Sequence, residues 1–233
     1  MQPKPLSPRG RSRKSMFDQY GGRGAQTTAN RWLVYSVKTD RDWILPSDRQ
    51  LVHWVIFLET NIAVQSFNLA PEVVLSADAK EVRATELDAE VVYQDGHLEW
   101  HEVKSGDYKH PSHQSQLLAQ AAAASAEGIK YRIFDDKALH GEAALALRWL
   151  TAISFAATIR DNPHTAAQNS LASFCYRVQR GIVKDLLQQF GALPQPIAIG
   201  VLVRLAISGA LDLDLRRLPL GLHTPWQSHQ HAS

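Results

Sequence analysis

Cysteine and long apolar segments are nearly missing from this sequence. Cys175 is the only cysteine among the 233 residues, which excludes an internal disulfide and a zinc site built on cysteines. The longest apolar stretch, residues 196–211, is interrupted by Arg204 and is too short to span a bilayer. The basic amino-terminal residues lead into no apolar segment, so we expect no signal peptide and no membrane partner. These absences predict a soluble, cytoplasmic protein.

The overall composition is that of a folded globular protein. Apolar residues make up 45% and charged residues 21% of the chain, which excludes wholesale disorder. A length of 233 residues is more than one minimal domain needs, and it suits a medium-sized domain followed by a small one.

Positive charge is concentrated at the amino terminus, although the net charge of the chain is only +2. Positions 1–24 hold six basic residues and one acidic residue, and the rest of the chain holds 19 basic and 22 acidic residues. We therefore interpret positions 1–26 as a flexible basic arm that can neutralise a phosphate backbone. A solvated arm without any partner fits the composition equally well. The candidate DNA-binding residues are Arg9, Arg11, Arg13, Lys14 and Arg23.

Hydrophobic periodicity predicts a mixed α/β domain over residues 27–164. Ser47 and Gln50 have the spacing of a capping box, and apolar residues follow from Leu51 with the period of an amphipathic helix. A Gln- and Ala-rich helix is predicted at 112–127. Strands are predicted at 31–36, 63–67, 72–76, 87–93, 98–104 and 129–134, with an Asp-Gly hairpin turn at 94–97. These elements predict a mixed sheet flanked by helices.

Residues 165–233 are predicted to form a small, mostly helical domain. A long apolar helix is expected at 140–160, at the end of the preceding domain. Within residues 165–233 helices are expected at 170–190 and 196–208, and an alternating apolar pattern predicts a strand at 211–215. Two helices, a glycine turn and a short strand are the outline of a winged helix. Its helices carry few basic residues, so docking a partner protein is at least as good an interpretation as binding DNA.

Three residues carry the clearest chemical signal. Glu102 and Lys104 are two positions apart in a predicted strand, so both side chains lie on one face of the sheet. Asp88 begins the partner strand and can meet them across the hairpin. Two neighbouring carboxylates favour a hard cation, Mg²⁺ or Mn²⁺, and Lys104 beside it can orient a water or stabilise a phosphoryl oxygen. The sequence therefore predicts a catalytic set of Asp88, Glu102 and Lys104.

The order of these elements resembles the PD-(D/E)xK nuclease superfamily. Leu87-Asp88 stands for the Pro-Asp of that motif, and Glu102-Val103-Lys104 stands for (D/E)xK. The resemblance implies a restriction-endonuclease-like fold, Mg²⁺-dependent hydrolysis of DNA, and a Gln on the helix after the motif. Here that Gln can be Gln114, Gln116 or Gln120.

A narrower resemblance extends over residues 30–226, to the TnsA-type transposon endonucleases. It is carried by the capping box, by Phe-Leu-Glu at 57–59, Val-Gln-Ser-Phe at 64–67 and Ala-Pro at 70–71, and by the tail segments 208–215 and 219–224. The resemblance implies a bacterial endonuclease subunit that cuts the 5′ ends of a mobile element. Its partners would be double-stranded transposon ends, a DDE transposase subunit and an AAA+ ATPase regulator.

The sequence departs from that family at the helix before the motif, where the family has its first catalytic acid. Matching Glu59 to the family's later acidic residue puts this position at Leu51 or Gln50, and neither is a carboxylate. Gln50 can offer a carbonyl oxygen to the metal, or it can serve only as part of the cap. Asp48 is the nearest acid. Two alternatives stay open: a stand-alone restriction- or repair-type nuclease, and a catalytically degenerate assembly subunit.

Overall fold

The computed structural model describes residues 30–71, 74–78, 81–106, 111–189, 191 and 193–229. The predicted basic arm, with its five candidate DNA-binding residues, lies outside the described residues. The described chain divides into two compact units. The first contains residues 30–34, Arg41–Trp54 and Ala63–His140, and the second contains Tyr35–Asp40, Val55–Ile62 and 141–229.

The first unit is built around a four-stranded sheet. Its elements, in chain order, are β1 (Trp32–Ser36), β2 (Arg41–Leu45), α1 (Asp48–His53), a π-helical turn (Trp54–Glu59), β3 (Val64–Asn68), β4 (Val74–Asp78), β5 (Glu81–Thr85), β6 (Ala89–Tyr93), β7 (Leu98–Val103), α2 (Pro111–Glu127) and β8 (Lys130–Phe134). The last residues of β1 and the π-helical turn continue into the second unit.

The four-stranded sheet is mixed and has the order β3-β6-β7-β8. β6 is antiparallel to β3 and β7, whereas β8 runs parallel to β7 because α2 connects them as a crossover helix. Gly96 has a φ of 85°, which suits the tight β6–β7 turn predicted from Asp-Gly. The prediction of a mixed α/β sheet flanked by helices is confirmed. β1–β2 and β4–β5 form separate two-stranded sheets.

The side of the sheet that faces α2 has a small apolar core. Leu87, Trp100 and Ala124 are buried together, and Ala123 and Tyr131 pack against them. Alanines on the helix allow it to lie close to the sheet, because they add little side-chain bulk. This packing holds the helix over the end of β7, where the motif residues lie.

The described part of the second unit contains four α-helices and a three-stranded sheet. Its elements are α3 (Ala143–Thr158), α4 (Thr165–Val178), β9 (Arg180–Ile182), α5 (Val183–Gln188), α6 (Gln195–Ile207), β10 (Leu211–Leu213) and β11 (Pro225–Ser228). β11 lies in the middle of the sheet and is antiparallel to both β10 and β9. The helix predicted at 170–190 is wrong, because the chain leaves α4 at Gln179 to pair β9 with β11.

Helix α3 packs closely on α6. A Cβ atom on Gly200 would lie 2.6 Å from the carbonyl oxygen of Phe155, so only glycine fits at this crossing. Arg204 donates from Nε and Nη2 to the carbonyl oxygen of Ala156 at 3.3 and 3.2 Å. The domain boundary predicted at 164/165 therefore lies inside the second unit, although the division into domains stays a prediction. Every helix that the structure describes is too short or too polar to cross a bilayer.

Candidate functional site

The structure brings Asp88, Glu102 and Lys104 to one end of the β6–β7 hairpin. Asp88 lies just before β6, and its N–H donates to the carbonyl oxygen of His101 at 3.1 Å. Glu102 is in β7 and Lys104 follows that strand. The two carboxylates are buried, with exposed fractions of 5% for Asp88 and 1% for Glu102, while the side chain of Lys104 is 17% exposed. The predicted set therefore forms a cluster that opens to solvent at its lysine.

Asp88 is held through both of its carboxylate oxygens. Oδ1 accepts from Nε2 of Gln50 at 2.6 Å, and Oδ2 accepts from the N–H of Val103 at 2.7 Å. A buried carboxylate without such donors would be costly, since burial disfavours the charged form. These two contacts fix the direction in which the carboxylate points.

Glu102 is held between a cation and an amide. Its Oε1 lies 2.8 Å from Nζ of Lys104, and its Oε2 accepts from Nε2 of Gln120 at 3.2 Å. Gln120 is fully buried, and it accepts from the hydroxyl of Tyr131 at 2.6 Å. Gln120, one of the three glutamines predicted as candidates, thus donates a hydrogen bond to Glu102.

Gln50 has two different roles in this geometry. Its N–H donates to Oγ of Ser47 at 3.2 Å, as the predicted helix cap requires. Its side chain, however, extends to Asp88 instead of returning to the backbone of Ser47. The amide oxygen Oε1 is buried and accepts no hydrogen bond within the described part of the chain. The amide thus offers its nitrogen to the site and leaves its oxygen unused.

Asp48 and Glu59, the acids discussed beside the position of the family's first catalytic acid, have other hydrogen-bond partners. Asp48 accepts from Nδ2 of Asn30 at 3.2 Å and from Nε1 of Trp32 at 2.9 Å. Glu59 is buried in the second unit, where it accepts from the Ser36 hydroxyl and the Val37 N–H, both at 2.7 Å. Burial raises the pKa of the Glu59 carboxyl. Neither acid adds a carboxylate to the cluster.

The donor set suits a hard cation only in part. Among the described residues, no three Asp, Glu, His or Cys side chains lie close enough to hold a metal ion. Asp88 and Glu102 supply oxygen ligands of the kind that Mg²⁺ and Mn²⁺ prefer. A cation bound here would need neutral oxygens as well, and the unused Oε1 of Gln50 is a candidate.

A buried histidine pair on the other face of β7 is not predicted from the sequence. Nε2 of His53 lies 3.0 Å from Nδ1 of His101, and Nε2 of His101 lies 3.1 Å from Oε2 of Glu99. Burial lowers the pKa of both histidines, that of His101 to about 4. The sequence signal that could have identified this cluster is the alternation of side chains along β7, which places Glu99 and His101 on the face of the sheet opposite to that of Glu102.

Glu99 stays ionised although its side chain is buried. Burial by itself raises the pKa of this carboxyl, but hydrogen bonds from Lys130, His101 and Tyr93 outweigh it and lower the pKa to about 2. Nζ of Lys130 lies 2.6 Å from Oε1, and the Tyr93 hydroxyl donates to Oε2 at 3.0 Å. The cluster around Glu99 therefore carries its own compensating cations, as a structural ion pair does.

An ion pair joins chain segments that are adjacent in sequence to Gln50 and Lys104. Arg49, next to Gln50, donates to both carboxylate oxygens of Asp136, with 3.2 Å between Nη2 and Oδ2. Asp136 also accepts from the N–H of Gly106 at 2.7 Å. The start of α1, the end of β8 and the loop after Lys104 are thereby tied together.

No family model and no curated protein matches this chain, so its functional assignment depends on this geometry.

Proposed function

We propose that this chain is a metal-dependent DNA endonuclease with Asp88, Glu102 and Lys104 as its catalytic residues. The observation that carries the proposal is their convergence at one end of the β6–β7 hairpin, with Gln120 hydrogen-bonded to Glu102. Support also comes from the order of elements in the first unit, where a helix, Asp88, the β6–β7 hairpin with Glu102-Val103-Lys104 and the Gln-bearing helix α2 follow one another as the resemblance expects. The two-stranded sheets β1–β2 and β4–β5 are additional to this order.

Each residue has a definite task in the proposed reaction. Asp88 and Glu102 would hold Mg²⁺ or Mn²⁺, which polarises a phosphate and lowers the pKa of a bound water. Lys104 lies 2.8 Å from Glu102 and is the most exposed of the three, so its ammonium group can orient the attacking water and stabilise charge on a phosphoryl oxygen. Gln120 fixes the position of the Glu102 carboxylate.

We further propose that the chain is the TnsA-type subunit of a bacterial, cytoplasmic heteromeric transposase. Support comes from the second unit, where helix, strand, two helices and two strands follow in the order of a winged helix, with the sheet order β10-β11-β9. This unit would bind the DDE transposase subunit and the AAA+ regulator. The basic arm would contact the transposon-end duplex through its phosphates.

A second candidate function is that of a degenerate assembly subunit. It is favoured by one observation: Gln50 stands where a carboxylate is expected, and no third acid joins the cluster within the described residues. A stand-alone nuclease of the restriction or repair type has the same site. It differs in cutting DNA without a transposase.

The test is DNA cleavage by Asp88→Asn and Lys104→Ala variants. We expect both to abolish 5′-strand cutting in the presence of Mg²⁺ and the transposase, and to keep the wild-type circular dichroism spectrum. Glu127→Gln changes an exposed residue at the far end of α2 and should cut like wild type. Wild-type cutting by the Lys104→Ala variant would overturn the assignment. Cutting of plasmid DNA by the chain alone would favour the stand-alone nuclease.

A further inference from the structure

Tyr131 is a polar residue beside the candidate site for which the proposed reaction has no task. It lies in β8, the parallel neighbour of β7, and its register partner in β7 is Trp100, two positions before Glu102. Residues in register on neighbouring strands share a face of the sheet, and so do residues two positions apart in one strand. Tyr131 therefore lies on the face that carries Glu102, where it packs against the core of Leu87, Trp100 and Ala124.

The Tyr131 hydroxyl is connected to the predicted catalytic set through Gln120. It donates to Oε1 of Gln120 at 2.6 Å. At the other end of the same amide, Nε2 donates to Oε2 of Glu102 at 3.2 Å and to the backbone carbonyl oxygen of Glu86 at 3.1 Å. The second carboxylate oxygen of Glu102 lies 2.8 Å from Nζ of Lys104. A continuous chain of polar contacts thus runs from β8 through α2 to the lysine that follows β7.

Both ends of the Gln120 amide need a partner, because its flexible side chain is fully buried. A carboxylate and a backbone carbonyl only accept hydrogen bonds, so the nitrogen end faces Glu102 and Glu86. The oxygen end then needs a donor, and Tyr131 supplies one from a ring that is itself packed in the core. If this donor is removed, rotations that bring the buried oxygen to another donor also move the nitrogen away from Glu102.

We propose that Tyr131 is a positioning residue of the nuclease site, which holds the Glu102 carboxylate in place through Gln120. In this orientation the carboxylate presents one oxygen to Gln120 and the other to Lys104. The inference rests on the proposed function, because it assumes that Glu102 and Lys104 act on the DNA phosphate. Tyr131 acts through another side chain, so its hydroxyl should affect the rate of cutting and leave DNA binding unchanged.

The experiment measures 5′-strand cutting of a transposon-end duplex by the full chain and its Tyr131→Phe variant, with Mg²⁺ and the transposase. The substitution removes the hydroxyl and keeps the ring. We expect the single-turnover rate constant at saturating DNA to fall by about tenfold or more, the usual effect of removing a group that orients an active-site side chain. The DNA concentration that gives half of the maximal rate should stay within about twofold of wild type.

Tyr93→Phe is the matched control. It removes a hydroxyl that donates to Glu99, a buried carboxylate on the other face of β7. Both variants lose one hydrogen bond and should have a lower Tm than wild type, but Tyr93→Phe should keep the wild-type rate of cutting. A rate loss in Tyr93→Phe as large as that in Tyr131→Phe would assign the effect to stability and overturn the positioning role.

A double variant tests whether Tyr131 acts through the amide. Gln120→Leu removes the group that connects Tyr131 to Glu102, so we expect Tyr131→Phe to lower the rate no further in that background. A merely structural role would lower the rate by the same factor in both backgrounds. That result, or a wild-type rate in the Tyr131→Phe single variant, would contradict the proposal.

A readout without catalysis separates this proposal from the proposed function. A crystal structure of Tyr131→Phe should show the Glu102 carboxylate in a changed or second orientation, with Asp88 unchanged. If wild type itself does not cut DNA, the proposed function is overturned, and this structure decides by itself whether Tyr131 positions Glu102. An unchanged hydrogen bond between Gln120 and Glu102 in the variant would show that it does not.

Discussion

His101 is a fully buried histidine beside the candidate site, and its surroundings make the protein sensitive to acid. Burial lowers the pKa of its imidazole to about 4, although Glu99 acts in the opposite direction. An unfolded histidine titrates near pH 6.5. Between pH 6.5 and 4 the unfolded chain therefore binds a proton that the native protein does not, and the free energy of unfolding falls as the pH is lowered.

We expect His101→Gln to reduce this dependence on pH. One proton of difference corresponds to about 1.4 kcal/mol per pH unit, so the slope of unfolding free energy between pH 6.5 and 4.5 should be smaller by up to that amount. Urea unfolding at several pH values measures the slope. His140→Gln, which changes an exposed histidine after β8, should keep the wild-type slope. An unchanged slope in His101→Gln would show that the buried histidine is protonated in the native protein.

At the scale of elements, the end of α4 before β9 requires a strained backbone conformation at Gln179. Gln179 has a φ of 72° and a ψ of −39°, a backbone conformation that residues with a side chain rarely adopt. It is held there because its carbonyl oxygen accepts from the N–H of Ser228 at 2.7 Å and because β9 begins at the next residue. The pairing of β9 with β11 therefore outweighs the local strain.

Gln179→Gly should relieve this strain and stabilise the second unit. Glycine adopts positive φ without steric cost, so we expect the free energy of unfolding to rise by about 1 kcal/mol, as measured by urea unfolding. Ser170→Gly is the control, since it changes an exposed position inside α4 and should destabilise by about 0.5 kcal/mol. If Gln179→Gly destabilises as Ser170→Gly does, the positive φ is not a source of strain.

At the scale of the whole molecule, positive charge is concentrated at the amino-terminal end of the sequence. The six basic residues of positions 1–24 precede a body with a small excess of acidic residues. Lys and Arg side chains can neutralise phosphates without reading bases, so we expect the predicted basic arm to add DNA affinity without adding sequence preference.

Removing residues 1–24 should therefore weaken DNA binding equally for transposon-end and random duplexes. Each lost phosphate contact lowers the slope of log affinity against log salt by about 0.9, so the dependence on salt should flatten. Fluorescence anisotropy at two or more salt concentrations measures both effects. A loss confined to transposon-end DNA would contradict the backbone role. A deletion from residue 165 is the poorer experiment, because it would remove α6 and expose the surface of α3 that packs on it.

The sequence by itself determined the local elements and the candidate catalytic set. Periodicity and turn residues identified α1, α2, β6, β7, β8 and the Asp-Gly hairpin, because those signals depend on neighbours a few positions away. The i, i+2 spacing of Glu102 and Lys104 was sufficient to put both at one end of β7. The TnsA-type resemblance and the activity stay predictions.

Only the tertiary structure decided how distant segments combine. The direction of the Gln50 side chain depends on Asp88, 38 positions along the chain, and the end of α4 depends on pairing with β11. The grouping of 35–40 and 55–62 with 141–229 depends likewise on contacts between segments far apart in sequence. A local sequence pattern contains no information on contacts between distant segments. Gln50, for example, is the same residue type whether its side chain caps α1 or donates a hydrogen bond to Asp88.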